Sequence, residues 1–310
     1  GVAKNALRIN YLLPVFEDKL PVAQDVRALK KKSLPDFSWQ DKAVEKIKLW
    51  RSTLPESINI KQTGFFAVNM ASTGCGKTIA NAKIMRALSE DFNSLRYILA
   101  LGLRTLTLQT ADEYRDRLGL DNTELGVLIG SKAVIELHQQ NKKSIHELEA
   151  EENEQAGSES LDNLLDEDIY YDAPIPEERL STVLISEKNK KFLYAPVLTC
   201  TIDHIISATE TKRGGRYILP SLRLMSSDLV IDEVDDFEGQ DLIAIGRLIH
   251  LAGMLGRKVM ISSATVPPDL AEGYFNAYRE GWLLYSQSRQ VNSKIGCAWV
   301  DEFNTQIETI

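Results

Sequence analysis

Two short stretches combine residue types that could do chemistry together. Residues 71–78 read Ala-Ser-Thr-Gly-Cys-Gly-Lys-Thr and residues 232–235 read Asp-Glu-Val-Asp. In the first, the small residues Thr73, Gly74, Cys75 and Gly76 leave backbone N–H groups free to turn inward around phosphate oxygens, and a following helix would present its positive end to them. Lys77 is spaced to reach β- and γ-phosphates and the Thr78 hydroxyl to ligate Mg²⁺, so ATP with Mg²⁺ is the expected ligand pair. Ala71 stands where the phosphate-loop pattern G-x-x-x-x-G-K-[ST] begins with glycine. Alanine is excluded mainly where a positive φ is required, and Gly74 and Gly76 remain nearer the phosphates, so the loop should still bind. In the second stretch Asp232 would hold the metal and Glu233 would polarise the water that attacks the γ-phosphate. Carboxylates so close repel one another unless a cation is shared between them. A solvated acidic turn is the alternative, but it would not explain why the cluster directly follows the apolar run Leu229, Val230, Ile231. A third stretch, Ile-Ser-Ser-Ala-Thr at 261–265, adds hydroxyls at Ser263 and Thr265; alone it is a weak signal.

Elements must position these groups. "GFFAVNMA" is an apolar run entering the glycine loop, and "KTIANAKIMRALS" has helical character. Further apolar runs follow at "RYILALG", "LGVLIG", "APVLTCTI", "DLVID" and "KVMISSA", with helical stretches such as "LTLQTADEYRDRLG" and "GQDLIAIGRLIHLAGMLG" between several of them. Short strands buried on both faces and alternating with helices predict an α/β fold, a mostly parallel sheet with helices on both sides. Ligands then bind at the carboxyl ends of the strands, where the loop, Asp232 and Ser263 all fall. The expected organisation is an entry segment over 1–36, one α/β domain over 37–290 interrupted by an acidic insertion over 131–193, and a strand-like tail over 291–310 leading out of it. The middle of the insertion reads as flexible or loosely helical.

Composition narrows the class. The 310 residues are 44% apolar, enough for a sizeable core. No run approaches the roughly 18–20 apolar residues of a membrane span and no signal pattern opens the chain, so a cytoplasmic protein without membrane attachment is expected. Three distant cysteines and four histidines without metal-ligand spacing encode neither a disulfide framework nor a histidine metal centre. The net charge of −8 is local in origin. Thirteen acidic residues and no Lys or Arg lie between Glu147 and Glu178, and the remainder is net positive. That acidic stretch is either a solvated insert or a face for a partner. The chain opens on Gly1, which suggests a piece of a longer protein.

The ordered set of Gln40, "ASTGCGKT", "LGLRTLTLQ", "VLTCTIDH", "DEVD" and "SAT" resembles the first RecA-like P-loop NTPase domain of superfamily 2 helicases and translocases, in which alanine at the head of the loop is usual. More narrowly, "NMASTGCGKTIANAKIMRAL", "LRYILALGLRTLTLQT", "CTIDHIISATE" and "LRLMSSDLVIDEVDDF" are similar to the CRISPR-associated helicase–nuclease of the Cas-three type, in its type I-F form fused to Cas-two. The resemblance implies that Gln40 reads adenine, with Phe37 or Trp39 available to stack. It implies that Asp235, Ser263 and Thr265 couple hydrolysis to strand movement. Arg104, Thr105, Gln109, Thr201 and His204 match single-strand contacts, which are phosphate-directed and independent of sequence; Lys212, Arg213 and Arg216 either add to that surface or form a solvated basic turn. The implied partners are single-stranded DNA, a second RecA-like domain with an arginine finger, an HD nuclease domain and an RNA-guided CRISPR surveillance complex, with an inhibitor protein also to be considered. No HD-type metal centre is encoded, so no nuclease activity is expected here. Without the finger, worth about 10³–10⁵ in rate in related systems, hydrolysis by this piece alone should be slow. Another superfamily 2 translocase, an RNA helicase or a protein-interaction module are the competing readings.

Overall fold

The computed structural model describes residues 20–102, 104–129, 168–173, 186–209 and 217–310. Nine strands form one sheet: β1 Gly64–Asn69, β2 Tyr97–Leu101, β3 Leu125–Ile129, β4 Asp168–Tyr170, β5 Val197–Thr201, β6 Asp228–Asp232, β7 Val259–Ser262, β8 Ile295–Val300 and β9 Thr305–Thr309. Their order is β4-β3-β5-β2-β6-β7-β1-β8-β9. The run from β3 to β8 is parallel throughout, and the edge strands β4 and β9 are antiparallel to their neighbours.

The apolar runs have no polar alternation because both faces are covered. Successive residues point to opposite sides: Phe65, Ala67, Leu99 and Val230 face one core, while Phe66, Val68, Ile98, Leu229 and Ile231 face the other. The first core is closed by α1 Ser38–Ser52 and α2 Lys77–Leu88, through Trp39, Ala43, Ile47 and Trp50 and through Ala80, Ile84 and Leu88. Further along the chain come α3 Arg104–Glu113, α4 Glu187–Tyr194 and α5 Ile218–Met225, with a single helical turn at Asp203–Ile206 before α5. The second core is closed by α6 Gln240–Met254 and α7 Pro268–Arg289, which bring Ile245, Leu248 and Ile249 against Tyr274, Tyr278 and Trp282. These two helices touch backbone to backbone. A Cβ on Gly281 would lie 2.0 Å from the His250 carbonyl oxygen and one on Gly253 2.6 Å from that of Tyr278. The glycines allow the close approach that seats Trp282 in the core.

Three parts depart from the expected organisation. Within 131–193, the described residues are ordered: Asp168–Tyr170 pairs with β3, and α4 buries Phe192 and Leu193. The rest of the acidic stretch, like Lys212, Arg213 and Arg216, lies outside the described residues. The tail at 291–310 does not lead away from the sheet; β8 lies beside β1, and β9 folds back along β8. From Leu20 onward the entry segment packs on the domain, with Leu20, Val26 and Leu29 buried and Ala23 bridged to Leu95.

The segment preceding β5 is fixed by two guanidiniums, Arg223 fully buried and Arg96 partly so, rather than by carboxylates. Arg223, fully buried, donates to the carbonyls of Leu193 (2.9 Å), Pro196 (3.2 Å), Ala195 and others, and Arg96 donates to those of Leu193 (2.6 Å) and Ser226 (2.8 Å). Such charges are tolerable inside because both spend most of their N–H groups on fixed acceptors, although Arg223 Nε has no partner among the described residues. Burial nevertheless pushes Arg223 down to about 9.

Candidate nucleotide site at the carboxyl edge of the sheet

Strand register brings the motif residues to one level. Asn69 pairs with Ser262, Ser262 with Asp232, Asp232 with Leu101 and Leu101 with Thr201. Five adjacent parallel strands therefore end in a single row, and the loop after β1, the turn after β6 and the turn after β7 all rise from it.

The loop after β1 has positive φ only at Gly74 (83°) and Gly76 (79°). Ala71 needs no such freedom; it is buried, and its N–H donates to Asn69 Oδ1 at 3.2 Å. That is the physical reason alanine serves at the head of the loop. Helix α1 props the loop from below. Trp39 Nε1 donates to the Cys75 carbonyl at 3.1 Å and Gln40 Nε2 to the Gly76 carbonyl at 3.0 Å, while Ser33 Oγ donates to Gln40 Oε1 at 2.7 Å. Trp39 is buried, leaving Phe37, half-buried beside Gly76, as the aromatic nearer the surface. Thr73 and Gly74 are exposed, and Cys75, Lys77 and Thr78 partly so.

Asp232 closes β6 with its side chain nearly buried. Burial pushes its carboxyl up, against a hydrogen bond from Ser262 and the nearby positive charge of Lys77. Glu233 follows in the left-handed region at φ 58°, a conformation uncommon for a non-glycine residue, with its N–H donating to the Ser262 carbonyl at 2.8 Å. The turn then brings Asp235 to β7's end, where its carboxylate accepts from Ser263 Oγ and, at 3.3 Å, from Thr265 Oγ1. The three residues assigned to coupling are therefore one hydrogen-bonded unit.

Several neighbours carried no recognisable signal in the sequence. Asn81, buried in α2, accepts from Asn69 Nδ2 at 2.8 Å and donates to Ser262 Oγ at 2.9 Å, all three side chains being fully buried. With Ser262 beside Asp232, whose carboxyl it helps to hold down, a run of polar side chains continues from the loop to the acidic turn. Its only trace is an asparagine at the centre of the small-residue face of "TIANAKIM". Thr78 Oγ1 donates to Glu113 Oε2 at 2.9 Å, from the end of α3. Glu302, in the β8–β9 turn, accepts from Ser72 N at 3.1 Å and Ser72 Oγ at 2.5 Å; those bonds, with Lys77 nearby, hold its carboxyl below the ordinary range.

The residues matched to single-strand contacts follow the same edge. Arg104 and Thr105 begin α3 directly after β2, their side chains outside the described set, and Gln109 is exposed on that helix. Thr201 is buried with its hydroxyl 2.7 Å from His204 Nδ1, so of that pair the half-buried histidine is nearer the surface.

The donors around Thr78 and Asp232 are hard oxygens, and the buried carboxylate gains from a cation, so the set suits Mg²⁺. Residues 33–167 match the family model described as the type III restriction enzyme res subunit. Over 99% of its length the chain is 45% identical to the CRISPR-associated nuclease/helicase Cas3 subtype I-F/YPEST of Pectobacterium atrosepticum and 42% identical to that of Pseudomonas aeruginosa, spanning 28% of each. The crystal structure of T. fusca Cas3-ATP shares the fold at a TM-score of 0.51 and 18% identity, covering 88% of this chain and 26% of its own. The chain thus has the mostly parallel α/β fold that it shares with the T. fusca Cas3 structure, and it is similar over nearly its entire length to one segment of the subtype I-F Cas3 nuclease/helicases.

Proposed function

We propose that this chain is the first motor domain of an ATP-driven DNA translocase serving CRISPR interference. The observation that carries the reading is the single row at the carboxyl edge. It holds the phosphate loop, the acidic turn and the Asp235–Ser263–Thr265 unit in hydrogen-bonded contact, as a site that converts hydrolysis into movement requires.

Gly74, Cys75 and Gly76 wrap the phosphates with backbone N–H groups, and Lys77 supplies a point charge to the β- and γ-phosphates. Phe37, half-buried beside Gly76, is the side chain left to meet the base, whereas Gln40 is buried with its amide bonded to the Gly76 carbonyl and to Ser33, so reading adenine would require it to give up one of those bonds. When bound, Mg²⁺ neutralises charge developing on the phosphate oxygens; Thr78 and Asp232 would hold it. Glu233 accepts the proton of the attacking water, and its left-handed backbone fixes where its carboxylate is presented. A change at the γ-phosphate reaches Asp235 through the same turn and passes to β7 through Ser263 and Thr265. Arg104, Thr105, Gln109 and His204, at the mouths of β2 and β5, take the phosphates of a single strand, with Thr201 holding the histidine.

A second RecA-like domain would supply the arginine finger, and an HD nuclease domain and an RNA-guided surveillance complex would be the partners of the whole cytoplasmic protein. In the full-length protein Lys77→Ala or Glu233→Gln should abolish DNA-stimulated ATP hydrolysis. Turnover equal to that of the parent would refute the assignment, and stimulation by RNA but not DNA would redirect it to an RNA helicase.

A further inference from the structure

At the opposite edge of the sheet, where the strands begin, lies a cavity of about 550 Å³. Its walls come from the segments entering β1, β2, β6 and β7, and from the end of α2. This volume is within the roughly 300–1,000 Å³ usual for small-molecule sites. Four cationic side chains line it, Lys61, Arg96, Arg257 and Lys258, against three carboxylates, Glu90, Asp91 and Asp228.

Most of these charges are already engaged. Glu90 pairs with Lys61 at 3.0 Å, and Asp91 accepts from Asn93 N at 2.9 Å and Ser94 N at 2.8 Å. Asp228 Oδ1 takes the backbone N–H of Lys258 at 2.8 Å, and Arg96 is spent on carbonyls. Lys258 differs. Its side chain is 6% exposed, and among the described residues nothing accepts a hydrogen bond from Nζ and no carboxylate stands at ion-pair distance. Beside it, Arg257 gives Nε to the Leu255 carbonyl at 3.2 Å, while neither Nη has a partner among the described residues. The Lys258 side chain is buried along its stem while Nζ keeps access to the cavity, and burial pushes the amine down.

We propose that this cavity is a second anion site, distinct from the nucleotide loop, which takes a phosphate-bearing small molecule between Lys258 and Arg257. A guanidinium fork beside an ammonium that opens on the same cavity suits the several oxygens of a phosphate group, and the anion would give Lys258 an acceptor that no described residue provides.

The test uses full-length protein carrying Lys77→Ala, in magnesium-free buffer, to remove phosphate affinity at the loop. Pyrophosphate is titrated by calorimetry. Saturable binding should persist in that background and weaken by about 10–100-fold when Lys258→Met or Arg257→Gln is added, the loss expected for one charge-assisted hydrogen-bond partner. Arg257 is half-exposed, so its variant keeps the test valid should Lys258→Met fail to fold. Absence of binding in the Lys77→Ala protein would overturn the proposal, whether the cavity is empty or filled by a carboxylate of the polypeptide. Binding that neither added variant weakens would overturn it too.

Discussion

Asn81→Ala tests the buried chain that joins the loop to the acidic turn. The substitution removes the bonds of 2.8 Å to Asn69 and 2.9 Å to Ser262 where all three side chains are fully buried. Asn69 Nδ2 loses its acceptor. Ser262 keeps Asp232 but loses the donor on its other side. Orphaning a buried amide donor costs about 1–3 kcal/mol, and loss of the second bond adds about 1 kcal/mol. A water drawn into the polar space left by the amide would return part of this, so the net expectation is about 2–3 kcal/mol. Urea unfolding of the nucleotide-free full-length protein, followed by a probe in this domain, measures it as a lower midpoint at unchanged slope. Because Asn69 also orients Ala71 N–H, ATP affinity should fall in the same variant. A stability change below about 0.5 kcal/mol, with ATP binding unaltered, would refute the idea that these side chains form one satisfied network.

Two further outcomes follow from the same edge. Glu113→Ala should weaken ATP binding by about 3–10-fold in the presence of Mg²⁺ and leave metal-free binding unchanged, the modest size reflecting a carboxylate that is partly exposed; equal losses with and without the metal would show that Glu113 does not act through Thr78. Asp232→Asn should stabilise the nucleotide-free protein at neutral pH. The folded state raises this carboxyl's pKa by burial, so native protein binds the proton more readily than unfolded protein. The ionised group therefore opposes folding at any pH above its folded value, and that penalty disappears as pH falls through the window toward the ordinary carboxylate value. Denaturation curves at a series of pH values should show the gain from Asp232→Asn shrinking as the pH falls; a gain independent of pH would exclude ionisation as the cause.

The central strands were legible in the sequence because burial on both faces removes polar residues from them altogether. β1, β2, β3, β5, β6 and β7 coincide with the apolar runs. The strands that were not anticipated lie at the edges. β4 sits inside a stretch whose acidity dominates its composition, and among its described residues Ile169 and Tyr171 are buried. β9 alternates exposed and covered positions over five residues, too short a pattern to separate from a loop. The tail illustrates the complementary limit: β8 has a strand's composition, but nothing local says that it returns to lie beside β1, more than two hundred residues earlier.

The site divides along a similar line, and the division has a cause. Lys77, Thr78, Asp232 and Glu233 are readable because their roles depend on adjacency within a segment, which a spacing pattern preserves. Glu113, Glu302 and Asn81 depend on adjacency across the sheet edge, which exists only after the strand order is set. Ala71 links the two kinds of information. Read as a motif it is a deviation; in the fold it is the residue whose buried N–H ties the loop to Asn69, and through Asn81 and Ser262 to Asp232. Positive φ is confined to Gly74 and Gly76, so Ala71 needs a small side chain and an available N–H, not the freedom of glycine. A larger residue there would press on the core beneath α1 and α2 and displace the amide that anchors the chain of bonds, impairing metal and phosphate positioning together although it touches neither.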